Sequence, residues 1–261
     1  MNDQHLSEIK KLEKEVIELN RQLETAKQML ELKDHQIMNI FSNLSHELRT
    51  PLNGIVGFSE LLSGSDVNPG DVKQYAAVIE ESSNMLISVW NDAFDLVKIE
   101  SSKYNVYAEP FDLNDLIYQL FIKYRPLAEK KNLQLFLENL ISEEFIVSLP
   151  LNELKKVLEK LIENAIKYTK QGWIKIHYKI KGELIIFEVE DTGIGINESV
   201  RSKLFHSFTA EEVSKSRNVS GTGLDLTLCN GLVQLMGGTI EYHPSSGQGS
   251  VFRFSVINHH R

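Results

Sequence analysis

Near its start the chain places apolar side chains at alternating intervals of three and four residues, and this spacing most restricts how it can fold. Ile9, Leu12, Val16, Leu19, Leu23, Ala26 and Leu30 follow the rhythm; Ile37 and Leu44 extend one register, and Lys33 interrupts the other. On a helix such spacing makes a narrow stripe, which favours a two-stranded parallel coiled coil. A single amphipathic helix packed on its own domain is the alternative; the Glu and Lys flanks favour pairing. The register fails at Glu47, and from there Leu48, Leu52, Ile55 and Leu62 mark a wider apolar face, suited to a bundle. "SGSDVNPGD" (63–71) reads as a turn, and a second helix is expected over about 71–101. The first hundred residues therefore read as an all-α helical hairpin with a coiled-coil leader. Two such hairpins, one from each chain of a homodimer, would complete a four-helix bundle.

After Lys103 the pattern changes to mixed helices and strands. "YNVYAE" (104–109) reads as a short strand, and a helix with Pro126 near its end follows an Asp or Asn cap. "LQLFLEN" reads as a strand, and 151–169 as a strongly amphipathic helix. "WIKIHYKI" and "ELIIFEVED" alternate on either side of Lys181-Gly182, which reads as a β-hairpin. A Gly-rich segment, one more helix and two final strands complete an α/β sandwich, with helices on one face of a mixed sheet. The expected division is 1–36 leader, 37–103 hairpin and 104–261 α/β domain. A net charge of −8 argues against a nucleic-acid partner, and the lone Cys229 fits a reducing compartment. The expectation is a cytoplasmic core, with any membrane link through segments upstream of this sequence.

The chemistry concentrates in "FSNLSHELRTPLNG" (41–54). With Leu44 at an a position, His46 falls on the outer face of the helix. An exposed imidazole with a pKa near 6.5 is mostly neutral at pH 7 and nucleophilic. Glu47 can take a proton from one ring nitrogen while the other attacks. Thr50 lies one turn on, on the same face as His46. Pro51 frees the carbonyl of Glu47, at a cost of roughly 3 kcal/mol in a rigid helix, so the helix could bend just below the histidine. A surface histidine beside an incidental proline is the plainer reading of each residue alone. In the second half, "DTGIGI" (191–196) follows a strand and "GTGLDL" (221–226) precedes a helix. Glycines there let backbone approach a ligand, and amides at a helix start can hold phosphate. No P-loop pattern is present.

Taken together, "SHELRTPL" resembles the H-box of sensor histidine kinases. "ENAIKYT", "DTGIGI", "LFHSF" and "GTGLDL" resemble, in order, the N, G1, F and G2 boxes of that family's ATPase domain, a fold shared with gyrase and the Hsp90 chaperones. The resemblance covers roughly residues 30–257. It implies that His46 accepts a phosphoryl group from ATP, that Glu47 assists proton removal, and that Thr50 helps orient water for dephosphorylating a partner aspartate. It implies that Asn164 coordinates Mg²⁺, that Lys167 meets phosphate and that Tyr168 lies against the nucleotide edge. Asp191 would accept from the adenine amine, with Gly193 and Gly195 leaving room for the base. Gly221, Gly223 and Leu224 would border the phosphates, and 209–220 would form a lid. Phe205 and Phe208 match the F-box, with core packing as the alternative. The implied partner is the receiver domain of a response regulator.

Three positions depart from the family's pattern. Lys160 stands one turn before Asn164, where Asn or Glu is common, Lys156 replaces a glutamine, and Asp225 replaces the last G2 glycine. Lys160 would repel Mg²⁺ if it pointed inward, or it could reach phosphate, and Asp225 would bring negative charge near the triphosphate. A slow or tightly regulated kinase is the expectation. The alternatives are a dimeric scaffold or pseudokinase and, less well supported, an ATPase clamp of the gyrase type.

Overall fold

The computed structural model describes residues 2–64, 68–138, 144–201, 204–205, 224–245, 247 and 249–258. Helix α1 (Asn2–Leu62) is one unbroken run of 61 residues, about 90 Å long at 1.5 Å per residue. It continues through Pro51. Along its first half, Leu12, Val16, Leu19, Leu23 and Leu30 are all more than half exposed, so within one chain the stripe covers nothing. Helix α2 (Pro69–Glu100) runs back along α1, starting with proline in its first turn, where a missing N–H costs nothing. Lys33 Nζ donates to the Glu100 carbonyl at 3.3 Å. The rings of Phe58 and Tyr75 meet at 5.5 Å. At Gly54 an added side-chain carbon would lie 2.8 Å from Ser82 Oγ, so the two helices approach closely there.

In the second half, β1 (Glu109–Asp112) pairs antiparallel with β3 (Ile146–Leu149) as a separate ribbon. The main sheet has the order β2-β4-β5-β7-β6, made from β2 (Leu133–Glu138), β4 (Gly172–Lys181), β5 (Leu184–Asp191), β6 (Ile240–Pro244) and β7 (Ser250–Ile257). Only the β2–β4 pair is parallel, so the sheet is mixed as expected. Helices α3 (Leu113–Lys130), α4 (Leu151–Tyr168) and α6 (Leu224–Leu235) pack on it, and a single turn, α5 (Glu198–Arg201), follows β5. Asp112 caps α3, accepting from Asn114 N at 2.9 Å. On α4, Leu154, Val157, Leu158, Leu161, Ile162, Ala165 and Ile166 are buried, the spacing of one helix face. Gly182 turns the β4–β5 hairpin with φ +63°, a conformation that glycine adopts without strain.

One local expectation fails, and one strand was not expected. Residues 104–108 form no strand; pairing starts at Glu109. Tyr104 turns instead toward α4, donating its hydroxyl to Glu153. Strand β3, the partner of β1, was not anticipated, because four residues are too few to show a period.

The end of α2 belongs to the core of the second half. Leu96 is 1% exposed and lies in the same buried cluster as Leu154, Leu158, Leu228 and Leu232. Ile99 sits where a side-chain carbon on Gly231 would come within 3.1 Å. Leu96→Ala is therefore expected to cost about 2–5 kcal/mol, read as a lower urea midpoint for the α/β half. A change below about 0.5 kcal/mol would mean that α2 is not part of this core.

Candidate active site

The amphipathic face of α4 that packs inward leaves a second face free, and that face carries the N-box side chains. Asn164 and Tyr168 are half-buried and Lys167 is exposed. Lys167 Nζ stands 5.4 Å from the Tyr168 ring centroid. Burial, then Asp225 and Glu47, push the Tyr168 phenol up to about 12. That dependence brings Glu47 of α1 into electrostatic reach of the end of α4. Thr50 is exposed on α1. The side chain of His46 lies outside the described residues, as do Gly221, Gly223, Phe208 and 209–220; the backbone at His46 is helical. Phe205 sits edge-on to Phe252 at 6.4 Å, a packing contact.

Asp191 ends β5 and is 4% exposed. Its Oδ1 accepts from Gly193 N at 2.7 Å, and Ile194 N donates to the Tyr168 carbonyl at 3.3 Å, tying the glycine loop to α4. Gly195 has φ +63°. A side-chain carbon on Gly193 would come within 2.6 Å of the Tyr168 carbonyl oxygen, 2.7 Å of Asp191 Oδ1 and 3.0 Å of Thr169 Oγ1. The bare glycine, the carboxylate and the threonine hydroxyl thus share one small space.

Thr169 is the residue that sequence reasoning missed. It is the C-cap of α4 and 2% exposed, and its Oγ1 has no hydrogen-bond partner among the described residues. A hydroxyl at a helix end reads as an ordinary cap, so "ENAIKYT" held the signal without its meaning. A buried unpaired hydroxyl costs about 1–3 kcal/mol, which a ligand in the same space can recover. This acceptor and this unpaired hydroxyl would suit an aminopurine, whose amine could donate to Asp191 and whose ring nitrogen could accept from Thr169. No cluster of three or more His, Cys, Asp or Glu side chains is placed to hold a metal ion among the described residues. A magnesium ion would need phosphate oxygens and water beside Asn164, the usual habit of this ion.

Burial raises the Asp191 carboxyl from 3.8 to about 6, against opposing hydrogen bonds from Gly193 and Ser250. Folding therefore favours the protonated acid. This support for the fold is complete below about pH 4 and is lost as pH rises through about 6, a difference on the order of 3 kcal/mol. Asp191→Asn, neutral throughout, is expected to resist urea better than the wild type near pH 7.5, by about 1–2 kcal/mol, and to show no gain near pH 4.5. A gain that did not depend on pH would contradict the raised carboxyl.

The departing residues do not face the nucleotide space as expected. Lys160 Nζ pairs with Asp92 and, at 2.9 Å, with Asp225. Lys156 pairs with Asp92 at 2.8 Å and Asp95 at 2.7 Å. Burial works against the Lys160 ammonium, but Asp225 and Asp92 outweigh it and hold the lysine protonated. The Asp225 charge, in the first turn of α6 just after the buried Leu224, is likewise compensated.

Residues 36–102 match the His Kinase A (phospho-acceptor) domain, and residues 151–259 match the histidine kinase-, DNA gyrase B- and HSP90-like ATPase. The autoinducer 2 sensor kinase/phosphatase LuxQ of Vibrio parahaemolyticus is 32% identical over 243 residues, covering 91% of this chain and 28% of that protein. The sensor histidine kinase GacS of Pseudomonas protegens is 38% identical over 224 residues, covering 82% of this chain and 24% of that protein. The chain thus spans about a quarter of the length of these relatives. The crystal structure of full-length ShkA in complex with AMPPNP superposes with a TM-score of 0.62 at 26% identity, covering 84% of this chain and 46% of that one. A phosphoacceptor hairpin followed on the same chain by this ATPase fold is the arrangement of a sensor histidine kinase catalytic core, and the chain belongs to that family.

Proposed function

We propose that this core transfers the γ-phosphoryl group of Mg-ATP to His46 and then passes it to an aspartate on the receiver domain of a response regulator. The observation that carries the reading is the space shared by Asp191, Gly193 and the unpaired Thr169 hydroxyl, at the end of the same helix that bears Asn164. Asp191 and Thr169 bind the adenine edge, and Gly193 and Gly195 leave room for the ring. Asn164 would hold magnesium through its side-chain oxygen, Lys167 would meet phosphate, and Tyr168 would pack along the nucleotide. Gly221, Gly223 and Leu224 border the phosphates.

In the transfer, an imidazole nitrogen of His46 forms a bond to the γ-phosphorus as the bond to the β,γ-bridging oxygen breaks. ADP leaves, and Glu47 takes the imidazole proton. Catalysis of this kind rests on positioning and charge stabilisation. Thr50, exposed one turn beyond His46, suits a water-orienting role in the reverse task of dephosphorylating the regulator, in line with the kinase/phosphatase designation of LuxQ.

The working unit is a homodimer. The uncovered stripe along α1 supports a parallel coil, and two hairpins complete a four-helix bundle. We divide the chain into a leader (1–36), a phosphotransfer hairpin (37–103) and a catalytic domain (104–261), with the end of α2 packed into the last. No helix among the described residues is long and apolar enough to cross a membrane. Dependence on ATP assigns the reaction to the cytoplasm.

The test is incubation with γ-labelled ATP and Mg²⁺. Label that stays on the protein, labile in acid and stable in alkali, is expected. Nucleotide binding with no retained label would favour the scaffold reading.

A further inference from the structure

Lys156, Lys160 and Asp225, the three positions that depart from the family's pattern, are held in one charge cluster that joins the two halves of the chain. The hairpin contributes Asp92 and Asp95 of α2; the nucleotide-binding half contributes Lys156 and Lys160 of α4 and Asp225 of α6. Lys160–Asp225 lies within the second half and survives any separation. The pairs made by Asp92 and Asp95 cross between the halves.

The crossing pairs are shielded from water. Side-chain exposure is 6% for Asp92, 13% for Lys160 and 24% for Lys156. Salt screens such pairs weakly, and removing one partner strands a charge in the junction. The neighbouring apolar contact is that of Leu96 and Ile99 with the second half. Position along the hairpin matters as well. Lys33 opposite Glu100 and Gly54 opposite Ser82 set the antiparallel register, which puts Asp92 about one turn from His46, on the side toward the start of α1. Unpaired, two carboxylates there would repel a triphosphate approaching the histidine.

We propose that Asp92 and Asp95 are positioning residues for phosphoryl transfer. Paired with Lys156 and Lys160, they dock the nucleotide-binding half on α2 of the same chain, beside the turn that carries His46. The same lysines cancel the two carboxylates that the phosphates would otherwise meet. The effect of Glu47 on Tyr168 supports this placement, because it brings the neighbour of His46 close to the nucleotide end of α4. The proposal rests on the kinase reading above for its catalytic consequence, and on geometry alone for the docking.

The test uses the full chain as Lys156→Glu, Asp92→Lys and the two combined. Lys156→Glu faces two carboxylates, and Asp92→Lys faces two ammoniums; the double variant restores an opposite pair, with Lys160 still held by Asp225. Energy transfer between dyes on cysteines introduced at Lys73 and Lys181, in dimers carrying one labelled protomer, reads docking without any activity. Each single variant is expected to lose transfer efficiency and to autophosphorylate about tenfold or more slowly at saturating ATP, with KM for ATP changed by less than about twofold. The double variant restores one opposite pair while position 156 still meets Asp95 and position 92 still meets Lys160, and it is expected to recover part of both. Unchanged energy transfer in the single variants would overturn the proposal. So would phosphorylation as fast as wild type or faster, or a folded double variant no better than the single ones. Absence of label in the wild type would refute the kinase reading instead, and the dye signal would still test the docking.

Discussion

His46→Gln is expected to carry no acid-labile phosphoryl group after incubation with Mg-ATP, while binding nucleotide as the wild type does. Glutamine offers no imidazole nitrogen to phosphorus, so the loss is complete rather than partial. The adenine contacts proposed for Asp191, Gly193 and Thr169 lie on the other half of the chain, so affinity has no reason to change. The measurement is retained label beside a nucleotide titration on the same preparation. Label retained by the variant would assign the phosphoryl group to another residue and remove His46 from the mechanism.

Asn164→Ala is expected to give the second largest effect. Asn164 is half-buried on the face of α4 turned away from the core, and alanine is the better helix former, so the fold survives. The transferred group would lose its magnesium contact, and autophosphorylation should fall by about 10²–10³-fold, some 3–4 kcal/mol of transition-state stabilisation. The distinguishing measurement is ATP affinity with and without Mg²⁺. The wild type should bind more tightly with the metal, and the variant should be indifferent to it. A variant that kept the metal dependence would place magnesium elsewhere.

What the sequence made legible follows physical range. The buried face of α4 and the β4–β5 hairpin were readable because their periodicities are local and long enough to distinguish. The glycine loop after Asp191 was readable because chemistry and backbone constraint coincide there. By contrast, β3 is four residues long, and Tyr104 left the expected strand for a partner 49 positions away. Leu96 read as one more apolar residue of the hairpin, and nothing local marks it as part of the second core. Lys160 and Asp225 looked like threats to the nucleotide site because nothing local shows that they pair with each other, or that Lys160 also pairs with Asp92, 68 positions away. One sequence without its fold cannot match a pair of acids on one helix to a pair of lysines on another. Thr169 was hidden differently: its type fits a cap, and only burial without a partner sets it apart.

In the proposed reaction a nucleotide held by the second half phosphorylates the histidine of the first. The most direct measurement is fragmentation mass spectrometry of the Mg-ATP-treated protein, kept at neutral or alkaline pH so that a phosphoramidate survives. One added phosphoryl group within 41–49, assigned to His46, is expected. A phosphoryl group on any other residue, or none on a protein that still binds ATP, would contradict it.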